Sequence, residues 1–291
     1  YKRQVQYLYS QKTLTFVTRF APSPTGPLHL GHAYSAIISH DMARRKGGKF
    51  YVRIEDLDQS RSKKKWENQI FEDLDWLGLS WDGPIVRQSE ELEKYKNILS
   101  NFKNELGLFE CFCSRKDIKL ALSAPHIGDN LLGPDGLIYP GTCRENIVSS
   151  KINFKNVLRM KVDFGEEKIF TFNELGQKKG KITFTLSEFS KTIGDVVLWR
   201  KSYPAYHLAC VIDDAQQNIT HVVRGMDLFE ATKIHTVLNT YFGFHKPFYY
   251  HHKLICDENG KRLAKRDDSK SIQKYRLEGF NPSDVRAIVG F

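Results

Sequence analysis

Residues 13–32, TLTFVTRFAPSPTGPLHLGH, join a strand pattern to the start of a helix through a loop rich in proline and glycine. The run TLTFVTR at 13–19 predicts a short buried strand. Residues 32–46 predict a helix, and the glycines at 47 and 48 would end it. A loop that follows a strand of a parallel sheet lies at the carboxyl edge, where ligands bind.

The next segment repeats this order of elements. Residues 49–55, KFYVRIE, alternate between apolar and polar side chains and predict a strand with Glu55 on its polar face. From Trp66 to Leu77, apolar residues recur at helical spacing. Strand, helix, strand, helix is typical of a parallel α/β sheet with crossover helices.

The middle of the chain departs from this pattern. Residues 107–150 are loop-rich and hold three cysteines, and residues 156–200 contain several short strand patterns. The α/β pattern then returns over 206–242, where apolar spacing predicts a helix at 227–242. We therefore predict an α/β protein that carries an inserted α+β module. The predicted division is 12–106 for the first half of the sheet, 107–190 for the module, 191–250 for the second half, and 251–291 for a basic loop and a short helical end.

The charge of the chain is unevenly distributed. The formal net charge is +10, and residues 1–65 carry thirteen basic but only four acidic groups. Residues 66–110 carry four basic and ten acidic groups. This asymmetry favours a polyanionic partner, although a merely basic surface remains an alternative.

Composition limits the class of protein. The chain is 41% apolar, which allows a sizeable core and excludes a disordered or low-complexity protein. No run approaches the roughly 18 apolar residues of a membrane span. Residues 1–11 are polar and lack the apolar core of a secretory signal. We expect a soluble cytoplasmic protein without a membrane partner.

The five cysteines argue against a disulfide framework, because their number is odd and no secretory signal is evident. Cys111 and Cys113 are too close for an easy bridge and are better spaced for a metal. Together with Cys143 they supply three soft ligands, whereas zinc takes four. A reduced, metal-free cluster is the alternative.

The loop that precedes the first helix suits phosphate chemistry. A helix start offers unpaired N–H groups and the positive end of a dipole. Gly31 allows close approach of a ligand to the backbone, and His29 and His32 offer hydrogen-bond donors. Lone loop histidines are usually structural, but two that flank a glycine after a proline-rich turn favour a binding role.

These residues carry a family resemblance. HLGH at 29–32 resembles the HIGH signature of class I aminoacyl-tRNA synthetases, and RFAPSPTGPLHLGH at 19–32 resembles the glutamyl-tRNA synthetase branch. The resemblance implies a Rossmann-like parallel sheet. It also implies a ligase that uses ATP with Mg²⁺ to convert glutamate to glutamyl-adenylate and then transfers the glutamyl group to tRNA. Further matches occur in the family's order: RIEDLDQSR at 53–61, YHLACVIDD at 206–214, HVVRGMDL at 221–228 and KRLAKRD at 261–267.

The resemblance assigns the ATP-binding residues. His29, Gly31 and His32 would bind ATP, with both histidines on its phosphates. Lys265 occupies the position of the second lysine of the KMSKS signature and would stabilise the pyrophosphate leaving group. Ala264 stands where that signature usually has serine, which implies slower or differently tuned activation rather than inactivity. A solvated basic loop is the alternative for this segment.

The resemblance also assigns glutamate recognition. Arg19 and Arg224 match the arginines that bind the substrate, and a planar guanidinium suits a carboxylate. Glu55 matches the carboxylate that holds the ammonium group of the substrate. Tyr206 matches a tyrosine that hydrogen-bonds the substrate, and Ser23 lies within the same glutamate-binding segment.

The resemblance implies one structural zinc site, but it leaves the fourth ligand open. Zinc-containing glutamyl-tRNA synthetases tend to close the site with Cys-x-His, and here Glu145 stands at the histidine position. The queuosine-specific relatives use Tyr-x-x-x-Cys, which fits Tyr139 and Cys143. We rank Tyr139 first, with Glu145 and His126 as the alternatives.

Length separates the branches of the family. About 25 residues follow the basic loop at 261–266, so we expect no anticodon-binding domain. This resembles the truncated branch, the glutamyl-queuosine tRNA(Asp) synthetases, which implies transfer of glutamate to queuosine in the anticodon loop of tRNA(Asp). We expect a monomer. Both HLGH histidines are present, which favours the alternative of an ordinary glutamyl-tRNA synthetase or a fragment of one. A non-catalytic tRNA-binding paralogue and a ligase that acts on another acceptor also remain open.

Overall fold

The computed structural model describes residues 15–122, 132–162, 167–256 and 270–291. Its strands are β1 (Val17–Phe20), β2 (Lys49–Ile54), β3 (Val86–Arg87), β4 (Leu108–Cys111), β5 (Leu132–Gly133), β6 (Gly136–Leu137), β7 (Val157–Met160), β8 (Ile169–Glu174), β9 (Gly180–Thr185), β10 (Val196–Arg200), β11 (Tyr203–Pro204), β12 (His221–Gly225) and β13 (Phe248–His252). Its helices are α1 (Leu30–Arg45), α2 (Lys64–Trp76), α3 (Leu92–Asn101), α4 (Arg115–Leu122), α5 (Leu186–Thr192), α6 (Tyr206–Gln216), α7 (Thr232–Phe242), α8 (Ile272–Leu277) and α9 (Pro282–Val289). Among the helices of these ranges, none is long and apolar enough to cross a bilayer.

The first half of the chain forms a parallel sheet in the order β1–β2–β3. Strand β2 pairs with β1 from Val17 opposite Lys49, and α1 makes the crossover between them. Helix α1 ends where predicted, because Gly47 adopts a positive φ of 59° that favours glycine. The predicted strand, helix, strand, helix order is therefore confirmed.

A second sheet has the order β12–β13–β8–β9, and β12 and β13 run parallel. It meets the first sheet at β1, where the Thr220 amide donates to the Val17 carbonyl at 3.0 Å. Further along both strands, Nη1 of Arg19 in β1 donates to the Val223 carbonyl in β12 at 3.4 Å, so the carboxyl ends of β1 and β12 lie side by side. This is a Rossmann-like α/β arrangement in which the crevice at the strand ends is the expected ligand position.

The region 107–190, predicted as one inserted module, divides between two sheets. Strands β4 and β7 belong to an antiparallel sheet ordered β11–β10–β7–β4. The hairpin β8–β9 instead extends the second sheet, with Glu174 opposite Tyr249 of β13. One apolar core cluster spans both, including Leu158 of β7 and Phe172 of β8. The division of the chain at residues 106, 190 and 250 stays a prediction.

Two local expectations differ from the structure. The helix predicted from residue 227 begins at Thr232, after a short 3-10 turn at Met226–Leu228. The short helical end contains two helices, α8 and α9, and both pack on the core beneath the first sheet through Ile272, Val285 and Val289. That core is formed by residues such as Ile37, Phe50, Val52, Ile54 and Ile70.

Candidate active site

A cavity of about 240 Å³ opens where β1 and β12 end. The structure brings together seven of the residues predicted from the sequence on its walls: Arg19, His29, Gly31, His32, Glu55, Tyr206 and Arg224. Ser23 does not line this cavity. Lys265 and Ala264 lie outside the described residues, as do residues 1–11 and His126.

The topology explains why these distant residues meet. Arg19 and Arg224 lie near the carboxyl ends of β1 and β12, and Glu55 follows β2 directly. Tyr206 is the first residue of α6. Strands that run parallel end at the same edge of a sheet, so one edge collects side chains that lie up to 205 residues apart in the chain.

The two histidines have a structural role that the sequence analysis missed. His29 is the N-cap of α1, and its Nδ1 accepts from the Gly31 amide at 3.1 Å. Nδ1 of His32 in turn accepts from the His29 amide at 3.2 Å, which completes a capping box. Each neutral ring therefore carries its proton on Nε2, the atom that can donate to a phosphate oxygen. The ring centroids lie 3.8 Å apart.

Gly31 leaves little room for a side chain. A Cβ at this position would lie 3.0 Å from Cε1 of His29. We expect Gly31→Ala to displace that ring and to lower the rate of adenylate formation about tenfold, because misplaced groups lose transition-state contacts. Single-turnover measurements would test this. A thermal midpoint that does not fall is the control, since alanine favours a helix by about 1 kcal/mol over glycine. A wild-type rate in Gly31→Ala would show that the ring position is unimportant.

Arg19 is held in a bidentate ion pair. Its Nε and Nη2 donate to the two carboxylate oxygens of Asp214 at 3.0 and 3.2 Å. Arg53 adds a third bond, from Nη1 to Oδ1 of Asp214 at 2.7 Å. Burial disfavours the charge on Asp214, but the two arginines outweigh it and lower the pKa of the carboxyl to about 2. Arg19 thus enters the cavity as a fixed cation.

Arg53 belongs to the site but was not predicted from the sequence. It is fully buried, although it lies on the face of β2 that the alternation pattern marked as polar. Helices cover both faces of a parallel sheet, so a charge in such a strand must be paired. The signal in the sequence was the charged Arg53 and Glu55 on one strand, and the structure joins them at 3.2 Å.

Glu55 faces the cavity with 10% of its side chain exposed. Burial raises the pKa of its carboxyl, while Arg53 and Arg19 oppose that rise. An ammonium group bound at this carboxylate would favour its charged form further. Tyr206 lines the same cavity, and burial raises the pKa of its phenol well above the usual range. Its hydroxyl therefore stays protonated and able to donate.

Arg224 differs from Arg19 in its partners. It donates to Oγ1 of Thr232 at 2.7 Å and to Nε2 of His251 at 3.2 Å, and it contacts Nδ1 of His235 at 3.4 Å. None of these partners is a carboxylate, and no ion pair joins Arg224 to an acidic residue in the described part of the chain. Its charge is therefore held in place without being neutralised, which suits binding of a carboxylate.

A second cluster contains the predicted metal ligands. The sulfur atoms of Cys111, Cys113 and Cys143 lie within 4.8 Å of one another. The hydroxyl of Tyr139 lies 3.5 Å from Sγ of Cys113 and accepts from the Cys143 amide at 2.8 Å. Glu145 is exposed and does not belong to this group of potential ligands.

Comparisons with known proteins identify the family of the chain. The family described as tRNA synthetases class I (E and Q), catalytic domain, matches residues 15–290. A glutamyl-Q tRNA(Asp) synthetase of Rhodobacter capsulatus is 48% identical over 278 residues, which are 94% of this chain and 99% of that protein. A glutamate–tRNA ligase of Lawsonia intracellularis is 36% identical over 91% of this chain but only 54% of its own length.

A solved structure extends the comparison to the fold. The glutamate tRNA ligase of Elizabethkingia meningosepticum, crystallised with its amino acid, superposes with a TM-score of 0.76 at 27% identity. The alignment covers 95% of this chain and 60% of that protein, so this chain spans less than two thirds of that structure. The chain belongs to the class I tRNA synthetases of the E and Q branch, and within it to the glutamyl-Q tRNA(Asp) synthetases.

Proposed function

We propose that this protein is a ligase that activates glutamate with ATP and transfers the glutamyl group to queuosine in the anticodon loop of tRNA(Asp). The observation that carries the proposal is the cavity that joins the HLGH histidines to Arg19, Glu55 and Arg224. Its relatives include proteins named glutamyl-Q tRNA(Asp) synthetase. We place its action in the cytoplasm, as a monomer.

Glutamate fits the charges of this cavity. Arg224 offers an unneutralised guanidinium for one substrate carboxylate, and Arg19 offers a second cation that Asp214 holds in position. Glu55 would receive the ammonium group, and the hydroxyl of Tyr206 would hydrogen-bond the substrate. Ser23 lies in the loop between β1 and α1, and we propose that it also contributes to glutamate binding.

ATP would lie across the start of α1, with Mg²⁺ on its phosphates. The α-carboxylate of glutamate attacks the α-phosphorus of ATP, which forms glutamyl-adenylate and releases pyrophosphate. His29 and His32 would donate from Nε2 to phosphate oxygens as charge develops there, and Gly31 allows the close approach. We propose that Lys265 stabilises the leaving pyrophosphate.

The cysteine cluster fits a structural zinc ion. Three thiols with converging sulfur atoms are the soft ligands that zinc prefers, and Tyr139 supplies an oxygen beside them. We propose that Cys111, Cys113, Tyr139 and Cys143 hold one zinc ion. When bound, the metal would cross-link β4 to the segment that carries Tyr139 and Cys143.

Cys143→Ser is expected to reduce the zinc content of the purified protein from about one ion per chain to nearly none, because only two thiolates remain. Tyr139→Phe should weaken zinc binding about tenfold or more in competition with a chromogenic chelator. Cys256→Ser is the matched control, since this exposed cysteine lies outside the cluster. Full zinc retention in both site variants would refute the site.

The first test of the proposed function is glutamate-dependent exchange of pyrophosphate into ATP. We expect exchange with glutamate and none with aspartate, because the shorter side chain cannot reach both arginines. Absence of exchange would identify a non-catalytic tRNA-binding paralogue. Exchange without labelling of any RNA would identify a ligase that acts on another acceptor.

A further inference from the structure

A chain of hydrogen bonds leads from Arg224 to the protein surface. Nη1 of Arg224 contacts Nδ1 of His235 at 3.4 Å, and Nε2 of His235 contacts Nδ1 of His207 at 2.9 Å. Nε2 of His207 then contacts Oδ1 of Asp135 at 3.0 Å. Both histidines are buried, and Asp135 lies in the turn between β5 and β6.

The proton positions along this chain follow from its arginine end. Arginine only donates, so Nδ1 of His235 accepts and its proton lies on Nε2. That proton is donated to Nδ1 of His207, whose own Nε2 proton is then donated to the carboxylate of Asp135. With both imidazole rings neutral, this placement of the protons satisfies all three hydrogen bonds of the chain. Burial, reinforced by Arg224, lowers the pKa of His235 well below its usual value and keeps this ring neutral.

A second tether has the same chemistry on the other side of Arg224. Nε of Arg224 donates to Nε2 of His251 at 3.2 Å, and Nδ1 of His251 lies 2.5 Å from Oε2 of Glu174. Two histidines therefore orient the guanidinium. His251 contacts the carboxylate of Glu174 directly, whereas His235 is linked to the carboxylate of Asp135 through His207. The two tethers differ in exposure, because Glu174 is buried whereas 45% of the Asp135 side chain is exposed.

We propose that Asp135, His207 and His235 are positioning residues that orient Arg224 for the carboxylate of its substrate. The proposal rests on the proposed function, in which that substrate is glutamate. A direct carboxylate partner would neutralise Arg224 and compete with the substrate. The histidine relay instead orients the guanidinium and keeps its terminal carboxylate, that of Asp135, two imidazole rings away at the surface.

The exposed end of the relay makes the proposal testable without disturbing the core. Asp135→Asn removes the negative charge but keeps the shape of the side chain. Both carboxylate oxygens of aspartate can accept a hydrogen bond, whereas only the amide oxygen of asparagine can. Asp135→Glu restores the charge on a turn that can accommodate one more methylene group. Glu105→Gln is the matched control, because it removes an exposed carboxylate outside the relay.

We expect Asp135→Asn to raise the KM for glutamate about fivefold in the exchange assay, while the KM for ATP and kcat change less than about twofold. Asp135→Glu should recover most of the affinity, and Glu105→Gln should match the wild type. In an Arg224→Lys background, Asp135→Asn should have no further effect on the KM for glutamate, because the relay then has no guanidinium to orient.

The outcomes separate the relay from the proposed function. A wild-type protein without glutamate-dependent exchange would refute the proposed function and the relay with it. An active wild type with an unchanged KM for glutamate in Asp135→Asn would overturn the relay alone. Equal rises in the KM for glutamate and for ATP, or an additive effect in the Arg224→Lys background, would also overturn it, since either indicates a general structural role.

Discussion

Arg224→Lys is expected to raise the KM for glutamate about 100-fold in the exchange assay, which corresponds to about 3 kcal/mol of lost binding. Lysine keeps the positive charge but lacks the planar fork that spans a carboxylate. It also cannot keep the bonds to Thr232, His251 and His235 that orient the guanidinium. The KM for ATP should remain close to the wild-type value.

Arg286→Lys is the matched control for this prediction. Arg286 forms a half-exposed ion pair with Asp41 at 2.7 Å, away from the cavity. Arg286→Lys keeps the positive charge of this partly exposed pair, which contributes about 1 kcal/mol or less, so the exchange kinetics should be unchanged. If Arg224→Lys bound glutamate as well as Arg286→Lys, Arg224 would not be the carboxylate anchor.

The second large effect concerns stability. Asp214→Asn is expected to lower the free energy of unfolding by about 3–5 kcal/mol, because it leaves Arg19 and Arg53 buried without their shared carboxylate. Asp58→Asn is the control, since Asp58 pairs with the exposed Arg61 and should contribute less than about 1 kcal/mol. Urea unfolding of the two variants measures the difference. Equal, small losses would contradict the buried network.

The same ion pair predicts how stability depends on pH. The pKa of Asp214 is about 2 in the folded protein, below its value of about 4 in an unfolded chain. A depressed pKa stabilises the folded state above pH 4, and this contribution is lost as pH falls from about 4 to about 2. Asp214→Asn should therefore differ most from the wild type near neutral pH and converge with it in acid.

The fold could be predicted where its determinants are local. The strand, loop and helix around residues 13–46 are contiguous, and so are the apolar spacings that predict β2 and α2. Strand pairing between distant segments is different. The pairing of β8 with β13 joins Glu174 to Tyr249, 75 positions away, and a strand pattern alone does not specify its partner.

The residues of the candidate site were likewise predictable only where a local motif marks them. Arg19, Glu55, Tyr206 and Arg224 could be placed from the motifs, and parallel strands bring their ends together. The network of Arg53 with Asp214 joins residues 161 positions apart, which no local pattern encodes. The capping role of His29 was also missed, since serine, threonine, aspartate and asparagine are the usual N-cap residues.

The most direct test of the proposed function compares two pools of tRNA, one that contains queuosine and one from cells unable to make it. We predict that labelled glutamate enters only the queuosine-containing pool, and that nuclease digestion locates the label in the anticodon fragment. Equal labelling of both pools, with the label at the terminal ribose, would contradict the account and identify an ordinary glutamate–tRNA ligase activity.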